Sequence, residues 1–209
     1  MDYSILLPLV VVAVVLLAQI CLLGRKMSEP EKMLIPMPEG LGPRQQETIS
    51  RHAAWLASMK LEYRTSFQFG NIQAAVFQQG DLPRFFSFLF HQSTVFAAES
   101  YLADLTVLDT GSSGNQGLFP RPGAYAQSFP KASAEEVWQR HLEGEAHLAK
   151  KFGFQWAPIP RSYEDLMMAA VRLRMQHNRA QPFWPVRVLY RYCVTRHRSS
   201  NRTIAQQLP

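Results

Sequence analysis

The sequence predicts an α+β fold, in which an N-terminal transmembrane helix is followed by one domain with an antiparallel β meander of four or five strands and about three helices. Three observations lead to this expectation. Apolar residues fill positions 5–23, apolar and polar residues alternate through 61–69 before short apolar runs separated by turns, and helical spacing with capping residues returns after Ser133. The part after the apolar segment has the length of a single domain.

The apolar segment has the properties of a membrane anchor. It is interrupted only by Pro8, Gln19 and Cys21, and it is long enough to cross a hydrocarbon core of about 30 Å. Its flanks lack the basic N-terminal region and the small residues of a signal-peptide cleavage site. We therefore expect residues 1–26 to form an uncleaved anchor with its flanks.

Charges beside this segment predict its orientation. Arg25, Lys26 and Lys32 follow it, whereas the short N-terminal flank holds Asp2 and no basic residue. Basic flanks stay preferentially on the cytoplasmic side of a membrane. The expected location is therefore a cell membrane, crossed once, with the N-terminus outside and the domain in the cytoplasm.

The rest of the chain divides into a tether and a domain. Residues 27–43 hold four Pro and two Gly, a composition typical of an extended connection, and residues 44–209 form the domain. Its strands are joined by short connections, which predict antiparallel pairing. The predicted elements are a helix at 44–59, strands at 61–69, 72–79 and 85–90, one or two strands within 94–108, a loop at 110–133, helices at 133–151 and 162–180, and a helix or strand at 185–197.

The stretch from Thr106 to Ser113 reads Thr-Val-Leu-Asp-Thr-Gly-Ser-Ser and resembles the active-site loop of aspartic proteases. In that family two carboxyl groups share a proton and activate a water molecule. The resemblance implies that Asp109 is catalytic, that Thr110 and Gly111 shape its loop, and that two copies pair as in a retropepsin-like homodimer. The alternative is a strand that ends in a turn-forming aspartate.

A second pattern lies on the helix predicted at 133–151. His141 and Glu145 are one turn apart and could share a metal ion. A metal site needs a third convergent ligand, however, and His147 lies on another face of the helix. The spacing therefore favours a solvated helix face, and we predict neither a metal centre nor a cofactor.

The strongest feature is a basic C-terminal region. From Leu166 onward the chain has eight Arg and no Asp or Glu, so this region carries all of the net charge of +6. Arginines interleaved with aromatic residues are typical of surfaces that bind anionic lipid, an acidic protein or nucleic acid. The alternative is that the aromatic rings pack in the core and the arginines are ordinary solvent-exposed residues. The predicted contact residues are Trp184, Arg187, Tyr190, Arg191, Arg196 and Arg198.

These patterns support one leading hypothesis and two alternatives. The first is a membrane-anchored, non-enzymatic interaction module that contacts the lipid bilayer and an unknown protein partner. The second is an aspartic endopeptidase that acts through Asp109 as a homodimer. The third is nucleic-acid binding through the basic C-terminal region, with nucleic acid the less favoured partner.

Overall fold

A single mixed sheet organises the part of the chain that the structure describes. The structure is a computed structural model and describes residues 11–12, 14–15, 18–19, 22, 34–37, 40–113, 121–191 and 200–209, with the backbone alone at 185, 188 and 189. Seven strands lie side by side in the order of the sequence. They are β1 (Leu34–Pro36), β2 (Leu61–Phe69), β3 (Ile72–Gln79), β4 (Arg84–Phe90), β5 (Thr94–Tyr101), β6 (Val107–Gly111) and β7 (Ala124–Ser128).

The described helices cover both faces of this sheet. They are α1 (Pro43–Ser50), α2 (Ala53–Ser58), α3 (Ala134–Phe152), α4 (Tyr163–Arg179), α5 (Trp184–Tyr190) and α6 (Ile204–Gln207). The two long helices begin where their capping residues predict. The Ser133 hydroxyl accepts a hydrogen bond from the backbone N–H of Glu136, and the Ser162 hydroxyl accepts one from that of Asp165.

The strand count and pairing correct the predicted meander of four or five antiparallel strands. β1 comes from the predicted tether, where its proline is tolerated because the strand lies at an edge of the sheet. β7 comes from the predicted loop at 110–133, and it pairs with β6 in parallel. The twelve residues between β6 and β7 are enough for the crossover that parallel pairing requires. Alternation at 61–69 and the apolar runs between turns revealed β2 to β5 but not these short strands.

The prediction of a transmembrane helix at 5–23 is contradicted. Among the described residues, no helix combines the length and the apolar character that a membrane crossing requires. The longest of these helices, α3, has nineteen residues but carries charged side chains along its length, whereas a span needs about twenty predominantly apolar residues. Most of 5–23 lies outside the described residues. The predicted single-pass location, with the N-terminus outside, depended on that helix and is corrected with it.

Two apolar layers hold the helices to the sheet. On one face, Phe86 and Phe88 of β4 pack with Leu56 of α2 and with Val137 and Trp138 of α3. On the other face, a second cluster joins the sheet to α4, and its members are Phe67, Ala74, Val76, Phe85, Tyr101, Val107, Tyr163, Leu166 and Ala170. The aromatic run of β4 is explained by this arrangement, because a strand covered on both faces does not need polar alternation.

Gly144 lets α3 approach the sheet closely. A Cβ atom at this position would lie 2.9 Å from Nε2 of Gln127 and 3.2 Å from Cδ2 of Leu108. Those distances are too short for either neighbour to remain in place. The glycine therefore sets how deeply the helix sits against β6 and β7.

We predict that Gly144→Ala destabilises the domain, although alanine is intrinsically the better helix former. Overpacking against Gln127 should lower the free energy of unfolding by about 1–3 kcal/mol, measured by urea denaturation. Helix propensity alone would raise it by about 0.5–1 kcal/mol. An increase in stability would show that the close approach does not constrain α3.

Candidate functional site

A buried polar network joins α3 to the sheet, and we call it the His141 network. Its members are Arg84, Ser100, Thr110, Gln127, His141 and Glu145. The side chains from β4, β5, β6 and β7 all point to the face that α3 covers. His141 is fully buried and Glu145 is 3% exposed, so the solvated helix face predicted for these two residues is wrong.

One arrangement of protons satisfies the centre of the network. Nε2 of His141 lies 2.7 Å from the Ser100 hydroxyl, and Nδ1 lies 3.0 Å from the Thr110 hydroxyl. If Nε2 carries the proton, Ser100 accepts from it and donates to Glu145, while Thr110 donates to Nδ1. Thr110 also accepts from the Gln127 amide at 3.0 Å. Each hydroxyl therefore both donates and accepts.

Glu145 is the charged centre of the network. Both of its oxygens accept from the Arg84 guanidinium, one of them at 2.9 Å from Nε. Burial raises the pKa of Glu145, but the His141 ring, 3.6 Å from Oε1, and hydrogen bonds from Arg84 and Ser100 lower it to about 2. The carboxylate therefore remains ionised, as a buried acid can when it is fully paired.

The geometry of the network favours a structural role over nucleophilic catalysis. In a catalytic triad the acid orients the histidine through the nitrogen that does not face the nucleophile. Here Glu145 contacts Ser100 itself, and Thr110 occupies the second nitrogen of His141. Ser100 is also completely buried. Among the described residues no group of three or more possible ligands could hold a metal ion.

Gln127 extends the network to the C-terminal end of the chain. Its amide donates to the Arg140 carbonyl at 2.7 Å, and its carbonyl accepts from the backbone N–H of Ile204 at 3.0 Å. The Ile204 side chain is buried beside Leu108 and Leu148. The last ten residues are thereby held against β7 and α3.

The predicted catalytic residue Asp109 lies on the opposite face of the sheet. It is in the middle of β6 and directly opposite Glu99 of β5, so it is not in a turn. Burial and the negative charge of Glu99 raise the pKa of Asp109 to about 7, although Arg174 of α4 opposes the shift. Both carboxyl groups line a cavity of about 140 Å³.

This placement bears on the aspartic-protease hypothesis. Asp109 belongs to a strand paired on both sides, and its flanking Thr110 and Gly111 are also in β6. Its carboxyl neighbour comes from its own chain, whereas the hypothesis requires the Asp109 of a second copy. Nothing in the geometry tests proteolysis itself, and the hypothesis stays a prediction.

A larger open cavity lies on the face of the sheet covered by α2 and α3, and we call it the Trp55 groove. Its volume is about 680 Å³. Trp55, Met59, Phe129 and Trp138 form its apolar part. The remaining lining residues are Pro130, Lys131, Ala132, Glu135, Glu136, Gln139, Arg140, Glu143 and Asn201.

The predicted C-terminal contact residues are only partly within the described chain. Trp184 is half-buried in α5, whereas Arg187 and Tyr190 are exposed on it, and Arg191 follows half-buried. Arg196 and Arg198 lie outside the described residues. Contact of this region with lipid, protein or nucleic acid stays a prediction.

Sequence reasoning missed the Trp55 groove because its walls come from distant segments. Trp55 and Met59 lie at least seventy positions before Phe129 and Trp138, and no local pattern shows that they meet.

We predict that Glu145→Gln destabilises the domain by about 3–5 kcal/mol, because Arg84 would lose its buried counter-charge. The pKa of Glu145 is about 2 in the folded protein and about 4.3 in an unfolded chain. Ionised Glu145 therefore contributes about 3 kcal/mol to the free energy of unfolding. This contribution is fully present above about pH 4.3 and is lost as the pH falls through about 2.

The measurement is urea denaturation between about pH 2 and pH 7. The matched control is Glu143→Gln on the exposed side of α3. The Glu143 carboxylate contacts exposed Arg140 at 3.0 Å and exposed Gln139 at 3.1 Å, so this substitution should change stability by less than about 1 kcal/mol. Equal effects of the two substitutions would contradict a central role for Glu145.

Comparison with known proteins gives no relative for this chain. No protein-family model, curated protein or solved structure matched it. The function has to be inferred from the surfaces and side-chain clusters of the chain itself.

Proposed function

We propose that the domain is a non-enzymatic interaction module, and that its Trp55 groove binds a polypeptide segment with an apolar side chain next to a lysine or arginine. The observation that carries this proposal is the open, aromatic-lined groove framed by glutamates. Its volume of about 680 Å³ lies within the range of specific ligand sites. Its open shape suits an extended segment better than an enclosed small molecule.

The apolar part of the groove supports recognition of an apolar side chain. Trp55 is half-buried and packs in a T-shaped arrangement with Phe86, with ring centroids 5.0 Å apart, so contact with the core holds the ring in place. Met59 is half-buried beside it. An aromatic ring fixed by the core and a methionine that can adjust to its ligand are typical of protein-binding surfaces.

The charges of the groove favour a basic partner. Three glutamates line it, against Lys131 and Arg140. Arg140 is already engaged, because its guanidinium pairs with Glu143 at 3.0 Å and lies 5.6 Å from the centre of the Phe129 ring. Glu135 and Glu136, both exposed, therefore outnumber Lys131, the other cation that lines the groove.

The ionised state of Glu135 suits recognition of a positive charge and not proton transfer. Partial burial raises its pKa, but hydrogen bonds from its own backbone N–H, from Ser133 and from His52, together with the charge of His52, produce a net lowering. A general acid that works near neutral pH needs the opposite shift. Glu135 remains an anion and can attract a cationic side chain.

We predict that the full-length chain enriches peptides with an aromatic or aliphatic residue next to lysine or arginine from a library of random displayed peptides. Met59→Asp should abolish the enrichment, because it places a charge beside the apolar floor. For the peptide most enriched, the Kd should rise at least about tenfold in Met59→Asp, which corresponds to about 1.4 kcal/mol.

The control is Phe183→Ala, which removes an exposed aromatic side chain that does not line the groove. Phe183 is 82% exposed beside α5, so this substitution should leave peptide binding unchanged. It also separates the groove from the predicted C-terminal contact surface. Enrichment that survives in Met59→Asp, or no enrichment above that of an unrelated protein, would refute the proposal.

A further inference from the structure

The short helix α5 carries an exposed apolar row, which consists of Phe183, Val186 and Tyr190 and which we call the Phe183 stripe. These side chains are 82%, 51% and 55% exposed. Val186 and Tyr190 are one turn apart on the helix. The Phe183 carbonyl accepts hydrogen bonds from the backbone N–H groups of Val186 and Arg187 at 3.0 and 3.1 Å, so Phe183 is held one turn before Val186. Large apolar side chains grouped on the surface mark an interaction site.

The backbone of Phe183 gives a second reason to expect a partner. Its φ of 53° lies in the left-handed region, which costs a residue with a side chain about 1–2 kcal/mol. A ring that is 82% exposed gains little from burial to offset that cost within its own chain. Burial of the ring against a partner would offset it.

The Phe183 stripe is accompanied by positive charge. Arg187 is exposed one turn after Phe183, and its guanidinium donates to Oε1 of the neutral Gln181 at 3.2 Å. Residues 166–209 have eight Arg and no acidic residue, whereas residues 1–165 have a net charge of −2. The stripe therefore combines apolar side chains with an adjacent arginine in the basic part of the chain.

The Trp55 groove has the complementary chemistry, because apolar side chains such as Met59 lie beside Glu135 and Glu136. A helix that places anchors at positions i, i+3 and i+7 in an apolar groove is a common mode of recognition. None of the stripe residues lines the groove of its own chain. Only four residues separate α5 from α4, which covers the opposite face of the sheet. One chain therefore exposes both surfaces at once.

We infer that the partner of the Trp55 groove is a second copy of this chain, which inserts its Phe183 stripe into the groove. The inference rests on the proposed binding function of the groove and names its occupant. Because two different surfaces meet, the contact is heterologous and leaves one groove and one stripe open in each complex. Association therefore continues from copy to copy unless a ring closes. Repulsion between two basic stripes disfavours a contact of the stripe with itself.

The test begins with sedimentation velocity of the full chain over a range of concentrations. The mean mass of the unsubstituted chain should rise beyond that of a dimer. Met59→Asp and Phe183→Asp should each lower the association constant at least about tenfold, because each removes one of the two surfaces. Aspartate tolerates the left-handed backbone at position 183 better than phenylalanine does. Glu135→Lys is a second groove variant, at an exposed position outside the core.

An equimolar mixture of a groove variant with Phe183→Asp tests the head-to-tail geometry. The intact groove of one copy can accept the intact stripe of the other, so the mixture should form a 1:1 complex that grows no further. Formation of this complex also shows that both variants are folded. Mixtures that stay monomeric with both groove variants, or association of Glu135→Lys alone that equals that of the unsubstituted chain, would overturn the inference.

Peptide binding by Phe183→Asp separates this inference from the proposed function itself. At concentrations below those of self-association, this variant should bind the enriched peptide with an unchanged Kd, because its groove is intact. An unsubstituted chain that binds the peptide but stays monomeric at every concentration would overturn the second copy as the occupant and leave the peptide-binding function in place. A monomeric chain that binds phosphatidylserine vesicles through Phe183 would also overturn the inference, because the stripe would then contact lipid.

Discussion

The ion pair between Arg84 and Glu145 is the interaction on which the arrangement of this domain depends. An ionised carboxylate inside a protein is tolerated only when its hydrogen-bonding capacity is filled. Glu145 meets that condition through Arg84 of β4 and Ser100 of β5, with His141 one turn away on the same helix. α3 can satisfy this carboxylate in only one position along the sheet. The network therefore fixes both its depth and its register.

That position of α3 creates the features on either side of it. Toward its N-terminus, the exposed side of the helix faces α2 across the Trp55 groove, so the acidic first turn becomes one wall of a binding surface. On its inner side, Gln127 connects the network to the C-terminal residues around Ile204. The sheet separates all of these from the Glu99 and Asp109 pair.

Sequence reasoning predicted the elements that have strong local signals. Ser133 and Ser162 marked the starts of α3 and α4 because a capping hydroxyl and acidic first-turn residues act locally. Alternation revealed β2, while β1 and β7 were missed, since a strand of three or five residues is specified by its partners and not by its own pattern. The transmembrane prediction depended on hydropathy alone, and no described helix supports it.

The candidate sites were predicted less well, because they depend on contacts between distant segments. His141 and Glu145 were recognised as neighbours on a helix, but burial depends on Ser100 and Thr110, which local spacing does not reveal. Asp109 was singled out for its resemblance to a protease loop. Its significance in the structure comes from Glu99, ten residues earlier in the sequence and directly opposite in the sheet.

The most direct test of the binding function uses the four tryptophans of the chain as reporters. Trp55 and Trp138 line the groove, whereas Trp156 and Trp184 do not. The indole N–H resonances should be followed while a peptide selected for binding is titrated into the full chain. The account predicts that the resonances of Trp55 and Trp138 shift and that the other two remain in place. Shifts confined to Trp184 would place binding at the C-terminal helix and contradict it.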